Sequence, residues 1–175
     1  MFERSSFWSA PPAWSSARID TQSLCVSVVS GPAQLVSGAV EGWLSTRGES
    51  ALGPRDTCLG ESYTLRLAPD TVLRVGEPAA DPGWHERDRI AVSDAGDAWI
   101  LIDIEGDAAA ALLAQGCEYP FDTASGPATE SARLLFAGLV VAVSRRTAGW
   151  RLHVDRAWAP ALWRWLEVHA VSSSS

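Results

Sequence analysis

Apolar positions along the chain fall into short runs with two periods. In "WILIDIE" (99–105) Ile100, Ile102 and Ile104 alternate with other residues, which predicts a strand with one apolar face. "GDAAAALLAQGC" follows as a short helix, since alanine is the best helix former and Gly116 is placed to end it. Earlier, "LCVSVVS" (24–30) reads as a valine-rich strand. "GPAQLVSGAVEGWL" then reads as a helix: Pro32 suits a first turn, and Leu35, Val36, Ala39, Val40 and Trp43 recur at three- and four-residue spacing. "STRGESALGPRDTCLG" is a loop. "SYTLRLAPDTVLRVG" is a hairpin turning at Pro69-Asp70. "ARLLFAGLVVAVSRR" is a buried strand with a break at Gly138, and "GWRLHVDR" is its hairpin partner. "AWAPALWRWLEVHA" is a final helix with Pro160 in its first turn, the one place a helix accepts proline without losing a hydrogen bond.

These elements repeat. "VSVVSGPAQLVSGAVEGWL" and "ILIDIEGDAAAALLAQGC" share the order strand, glycine turn, helix, and each leads through a loop to two strands. The reading is an α+β fold of two pseudo-repeated β-α-β-β halves with antiparallel sheet and a C-terminal helix. The boundaries are a flexible arm over 1–20, a single domain over 21–170 with halves at about 21–76 and 90–170, and a disordered tail over 171–175. The polar, proline-bearing connector 76–89 separates the halves.

Composition narrows the function. With 175 residues and 47% hydrophobic residues, the chain can bury a core without a metal or disulfide. No apolar run approaches the roughly 18 residues of a membrane span, and the N-terminus has no secretory h-region. A net charge of −7 argues against nucleic acid as a partner. All 14 basic residues are Arg, which excludes Schiff-base and P-loop lysines. Three cysteines, Cys25, Cys58 and Cys117, lack disulfide spacing and read as reduced thiols in a cytoplasmic protein.

Candidate chemistry is thin. Gly106 at a strand-to-helix turn is a place where an anion could sit on a helix N-terminus. Asp107 and Glu105 would put negative charge there themselves, and Pro32 lacks the donor at the corresponding turn of the first half, so the turn reads as a structural joint. Asp94 and Asp97 in "SDAGD" read as polar-turn residues. His85, His153 and His169 are too far apart for a zinc pattern. Cys117, at a helix C-terminus, reads as an inert thiol. No catalytic, cofactor-binding or metal residue is assigned. The nine tryptophans point to surfaces instead. On the last helix Trp158 and Trp165 share a core face with Leu162 and His169, while Trp163 sits about 140° from Trp158 at ~100° per residue. For any single tryptophan the core is the first reading, with Trp163 on the shoulder of a wide apolar stripe; the sharper reading makes Trp163, or Trp150 on the nearby strand, the candidate interface residues.

Three stretches, "ALLAQGCEYPFD", "SARLLFAGLVVAVSRR" and "WRLHVDRAWAPALWRWLE", resemble the gamma subunit of heterotetrameric sarcosine oxidase. The matching positions are Ala98-Trp99, Gly106, Ala109, Gly116-Cys117, Pro120 and Asp122. They continue at Val154, Arg156, Ala157, Trp158, Leu162-Trp163, Trp165 and Leu166. The resemblance spans roughly residues 90–170; in the first half only "LAPDTVLRV" echoes the family, and "CEYPF" departs from its usual aliphatic stretch. It implies a fold like the folate-binding domain of glycine-cleavage aminomethyltransferases. It also implies a cytoplasmic complex that oxidatively demethylates sarcosine or a related N-methyl amino acid. The alpha subunit of such a complex holds NAD and tetrahydrofolate, FAD and FMN sit in or between alpha and beta, and a delta subunit binds zinc. The gamma subunit carries no redox cofactor and packs against alpha. Two functions follow as expectations: a non-catalytic subunit of such a complex, or a stand-alone folate-binding or one-carbon-transfer protein of the same fold.

Overall fold

In the computed structural model, residues 17–29, 31–52, 56–58, 60–77, 81–119, 121 and 133–172 are described. The first half contains β1 (Arg18–Asp20), β2 (Cys25–Val29), β3 (Ala33–Gly38), α1 (Val40–Arg47), β4 (Thr57–Cys58), β5 (Tyr63–Ala68) and β6 (Thr71–Val75). The second contains β7 (Gly83–His85), β8 (Ile90–Asp94), β9 (Trp99–Glu105), α2 (Ala109–Gly116), β10 (Arg133–Phe136), β11 (Leu139–Arg146), β12 (Gly149–Asp155) and α3 (Ala159–Ser172). β1 and the end of α3 thus reach into the segments expected as arm and tail; residues 1–16 and 173–175 lie outside the described residues.

The strands form two sheets. One runs β1-β2-β9-β12-β11-β10, with β4 attached to β11; the other runs β5-β6-β3-β8-β7. Pairing between the named strands is antiparallel except at β4, which meets Arg145 and Arg146 in parallel. The first sheet buries Ile100, Ile102, Ile104, Leu152 and Val154 against Leu112 and Leu113 of α2 and Leu162 and Leu166 of α3. Its other face meets the second sheet, where Leu101 and Ala142 pack with Leu65, Leu67, Leu73 and Val75. The far face of the second sheet carries α1, through Val40, Trp43 and Leu44 on Val36, Val72, Ile90 and Val92. The layers are therefore helices, sheet, sheet, helix, and the fold is α+β with two antiparallel sheets and a C-terminal helix.

Residues 33–38 are a strand, β3, and not the first turns of a helix as the spacing predicts; α1 starts only at Val40. The reason is position. β3 lies between β6 and β8, with Ala33 and Leu35 packed toward one core and Val36 toward the other, and Gln34 and Ser37 fall on opposite faces, so apolar and polar residues do not alternate along it. The internal repeat shifts accordingly: β3-α1-β5-β6 corresponds to β9-α2-β11-β12, and Gly38, not Gly31, is the counterpart of Gly106. The leading pairs are exchanged. β2 hydrogen-bonds β9 of the second half, while β8 hydrogen-bonds β3 of the first.

The two joints are built alike. Gly38 has φ +117° and Gly106 φ +106°, conformations that side chains rarely adopt. A Cβ on Gly38 would meet the Arg89 carbonyl oxygen at 2.4 Å, and one on Gly106 the Ser23 oxygen at 2.4 Å. Each carbonyl accepts the amide of the alanine that leads into the helix, Ala39 in one half and Ala108 in the other. Each also stands just before the exchanged strand, so one contact fixes strand, helix and swap together. Gly38→Ala and Gly106→Ala should each lower stability by roughly 2–3 kcal/mol, read from urea midpoints. Gly48→Ala, at an αL helix end with open space around it, should cost about 1 kcal/mol.

Candidate functional site

The inward face of the first sheet is polar at its centre. The register places Ser144, Arg151, Asp103 and Ser27 side by side across β11, β12, β9 and β2. Arg151 is 1% exposed and holds Asp103 through two bonds, Nε to Oδ1 at 2.6 Å and Nη2 to Oδ2 at 2.7 Å. This is the bidentate fork that suits guanidinium and carboxylate. From the loop before β5, Glu61 Oε2 accepts from Nη1 and Nη2 of Arg151 at 3.2 Å each. Arg146 donates to the Gly60 carbonyl at 2.8 Å and to Glu61 Oε1 at 2.5 Å.

Tyr63, on β5, joins the second sheet to this cluster. Its hydroxyl accepts from Arg151 Nη1 at 3.4 Å and lies 2.7 Å from His153 Nε2. His153 Nδ1 donates to the Ala142 carbonyl at 3.2 Å, which leaves Nε2 as the acceptor for the tyrosine proton. Burial pushes the His153 pKa down to about 3, with Arg151 and Arg146 adding to the effect. Burial likewise pushes Tyr63 up to about 12, against the opposing influence of Arg151. Burial would lower Arg151, but the Asp103 and Tyr63 hydrogen bonds outweigh it and raise its pKa. Burial thus favours the neutral His153 ring and the protonated Tyr63 hydroxyl, and His153 is fully buried. The cluster is a polar seam between the sheets, open to solvent at Glu61.

A second charged group lies beside α1. Arg74, 5% exposed, pairs with Glu77 at 2.5 Å and Glu49 at 3.4 Å, and its guanidinium stands over the Trp43 ring at 5.3 Å. The cleft lined by Glu49, Ser62, Thr64, Arg74 and Glu77 has a volume of about 220 Å³, below the usual range of ligand pockets.

The residues singled out from sequence fall as follows. Trp150 and Trp163 are core residues, 7% and 4% exposed. Phe121 meets Trp150 edge-on at 5.1 Å, and the Trp163 indole N–H is satisfied by Glu167 one helical turn on, at 2.8 Å. Among the described residues the exposed indoles are Trp84 and Trp158, at 60% and 57%. Asp94 caps its own turn, accepting from the Gly96 amide at 3.0 Å. Asp107 precedes the first turn of α2. The thiols of Cys25 and Cys117 are raised, first by burial. Among the described residues, no three His, Cys, Asp or Glu side chains cluster to hold a metal, and no helix is long and apolar enough to cross a membrane. Pro120 and Asp122 lie outside the described residues. The ion cluster had a readable signal: Asp103 interrupts "ILIDI", and Arg151 and His153 interrupt "WRLHV", at alternate positions of otherwise apolar strands.

Comparison with known proteins gives a fold. No family model matches the chain, and no curated protein is similar to it in sequence. Among solved structures, a chain of heterotetrameric sarcosine oxidase from Corynebacterium sp. U-96, in complex with pyrrole 2-carboxylate, is similar with a TM-score of 0.69 at 17% identity. The match covers 93% of this chain and 90% of that one.

Two outcomes follow from the seam. Asp103→Asn should cost about 3–5 kcal/mol by leaving Arg151 buried without its partner. The double variant Asp103→Leu/Arg151→Met should cost far less than the two single changes added, since paired removal leaves no orphan charge; denaturant unfolding checks both. His153 makes stability pH-dependent. Its folded pKa lies below the unfolded value of about 6.5, so only the unfolded chain takes up this proton between pH 6.5 and 3. Stability should therefore fall with pH in that window, by about 2 kcal/mol from pH 6.5 to 5. His153→Gln should flatten that slope in unfolding measured across pH.

Proposed function

We propose that this chain is the gamma-type, non-catalytic subunit of a cytoplasmic flavoenzyme complex of the heterotetrameric sarcosine oxidase kind, acting on sarcosine or a related N-methyl amino acid. The observation that carries the reading is the end-to-end match: nearly all of this chain superposes on nearly all of one chain of that heterotetramer. A chain of similar length, rather than one domain of a large subunit, is therefore its counterpart. In this reading FAD, FMN, NAD, tetrahydrofolate and zinc belong to the alpha, beta and delta subunits, and this chain packs on alpha.

Co-expression with the alpha, beta and delta subunits tests it. The expected result is a single assembly that retains flavin and oxidises sarcosine, together with an isolated chain that shows no flavin absorbance. A chain that stays a lone monomer beside an assembled alpha-beta-delta complex would overturn it. Micromolar tetrahydrofolate quenching the tryptophan fluorescence of the isolated chain would favour the stand-alone folate-binding alternative instead.

A further inference from the structure

We infer that the cleft beyond the end of α1, lined by Glu49, Arg74 and Glu77, is a binding site for a small protonated amine. The inference stands on this chain's own residues and does not depend on the assembly proposed above.

The cleft stands on a buried polar row. Register sets Thr64 of β5, Arg74 of β6 and Gln34 of β3 side by side, at 8%, 5% and 1% exposure. They lie on the face that carries α1, since Val72 and Val36, two residues away on the same strands, pack against that helix. α1 covers the apolar part of the face with Val40, Trp43 and Leu44 and ends at Gly48. There the amides of Gly48 and Glu49 bond back to the Ser45 and Leu44 carbonyls at 3.1 and 3.0 Å. The chain then runs beside β5, where the Leu52 amide donates to the Thr64 carbonyl at 2.7 Å and the Leu52 carbonyl accepts from the Arg66 amide at 3.2 Å. Glu49 is thus fixed from both sides along the chain, so the cleft is preorganised.

Donors and acceptors do not balance there. Glu77 Oε2 takes Arg74 Nη2 at 2.5 Å. Glu49 Oε1 reaches the same nitrogen at 3.4 Å and Arg47 Nε also at 3.4 Å, both long for charge-assisted bonds, which run about 2.7–2.9 Å. Glu49 Oε2 is buried and receives no donor among the described residues. A buried carboxylate oxygen without a donor is destabilising, and a cation that carries N–H groups supplies both the donor and the charge. The hydroxyls of Ser50, Ser62 and Thr64, which belong to residues of the same cleft, can accept its remaining protons. Two carboxylates repel an anion. A bare metal ion wants several hard ligands, and among the described residues no three His, Cys, Asp or Glu side chains cluster. The volume of about 220 Å³ admits an amine of only a few heavy atoms.

The test is an NMR titration of the nitrogen-15-labelled full chain with methylammonium chloride, ionic strength held constant with sodium chloride. Amide shifts should saturate with a Kd of about 1–20 mM, the range open to so small a ligand, and should concentrate at Ser50, Ser62, Thr64 and Glu77. Tetramethylammonium, which has the charge but no N–H, should give no saturable shift. Glu49→Gln should weaken methylammonium binding about tenfold or more, while Glu86→Gln, beyond the opposite edge strand of the same sheet, should leave it unchanged. No saturable shift in the unaltered chain up to about 100 mM would overturn the inference and leave the cleft to water. Equal saturation by tetramethylammonium, or undiminished affinity in a folded Glu49→Gln chain, would overturn it as well. If Glu49→Gln does not fold, the unaltered chain and the comparison of the two cations still decide. Assembly with a large subunit is measured separately, so either reading can fail without the other.

Discussion

The bidentate pair between Arg151 and Asp103 constrains more of this structure than any other contact. Two charges placed between sheets lose their hydration, a loss of several kcal/mol for each ion, and they persist only where geometry is near ideal and neighbouring groups satisfy what is left. That demand fixes the register of β9 against β12, because a slip of one residue would turn Asp103 to the apolar face with Ile102 and Ile104. It also fixes the second sheet. Tyr63 must present its hydroxyl between Arg151 and His153, and Glu61 must close the outer edge of the cluster. A purely apolar interface would hold the two sheets together without specifying how they sit. Here the polar seam specifies it.

Legibility in the sequence followed how many constraints acted on each segment. The hairpin at Pro69-Asp70, the strand 99–105, the alanine-rich helix and the C-terminal helix each carry one unambiguous period with turn residues at their ends, and each formed as expected. β3 did not show itself, because "AQLVSG" is covered on both faces and its spacing imitates a helix. The exchange of β2 and β8 between halves was invisible for a different reason: pairing partners far apart in sequence leave no local mark. The same holds for the ion cluster. Asp103, Arg151 and His153 each stand out as polar residues in apolar strands, yet only the register shows that they meet.

The tryptophans show where helical geometry misleads. Trp163 lies about 140° from Trp158, and taking Trp158 as core puts Trp163 on the outside. The structure orients the helix the other way: Leu162, Leu166, Ala159 and Ala170 set the buried face, and Trp163 sits at its edge with its N–H satisfied by Glu167. Angles between side chains were therefore right while the zero of rotation was not. That zero is set by the sheet beneath the helix, which the helix sequence alone does not contain.

Taken together, these features set an interior whose arginines are paired against a surface that keeps apolar side chains open. Inside, His153 and Tyr63 are held far from neutral pKa values, and the two nearby guanidiniums, Arg146 and Arg151, are met by carboxylates. The requirement that keeps the sheets in register, pairing of the buried Arg151 with Asp103, commits these side chains to one another. Outside, large apolar side chains stay open, Trp158 and Val168 among them. Trp158 stands just before α3 and Val168 on it, next to the face that already serves the chain's own core.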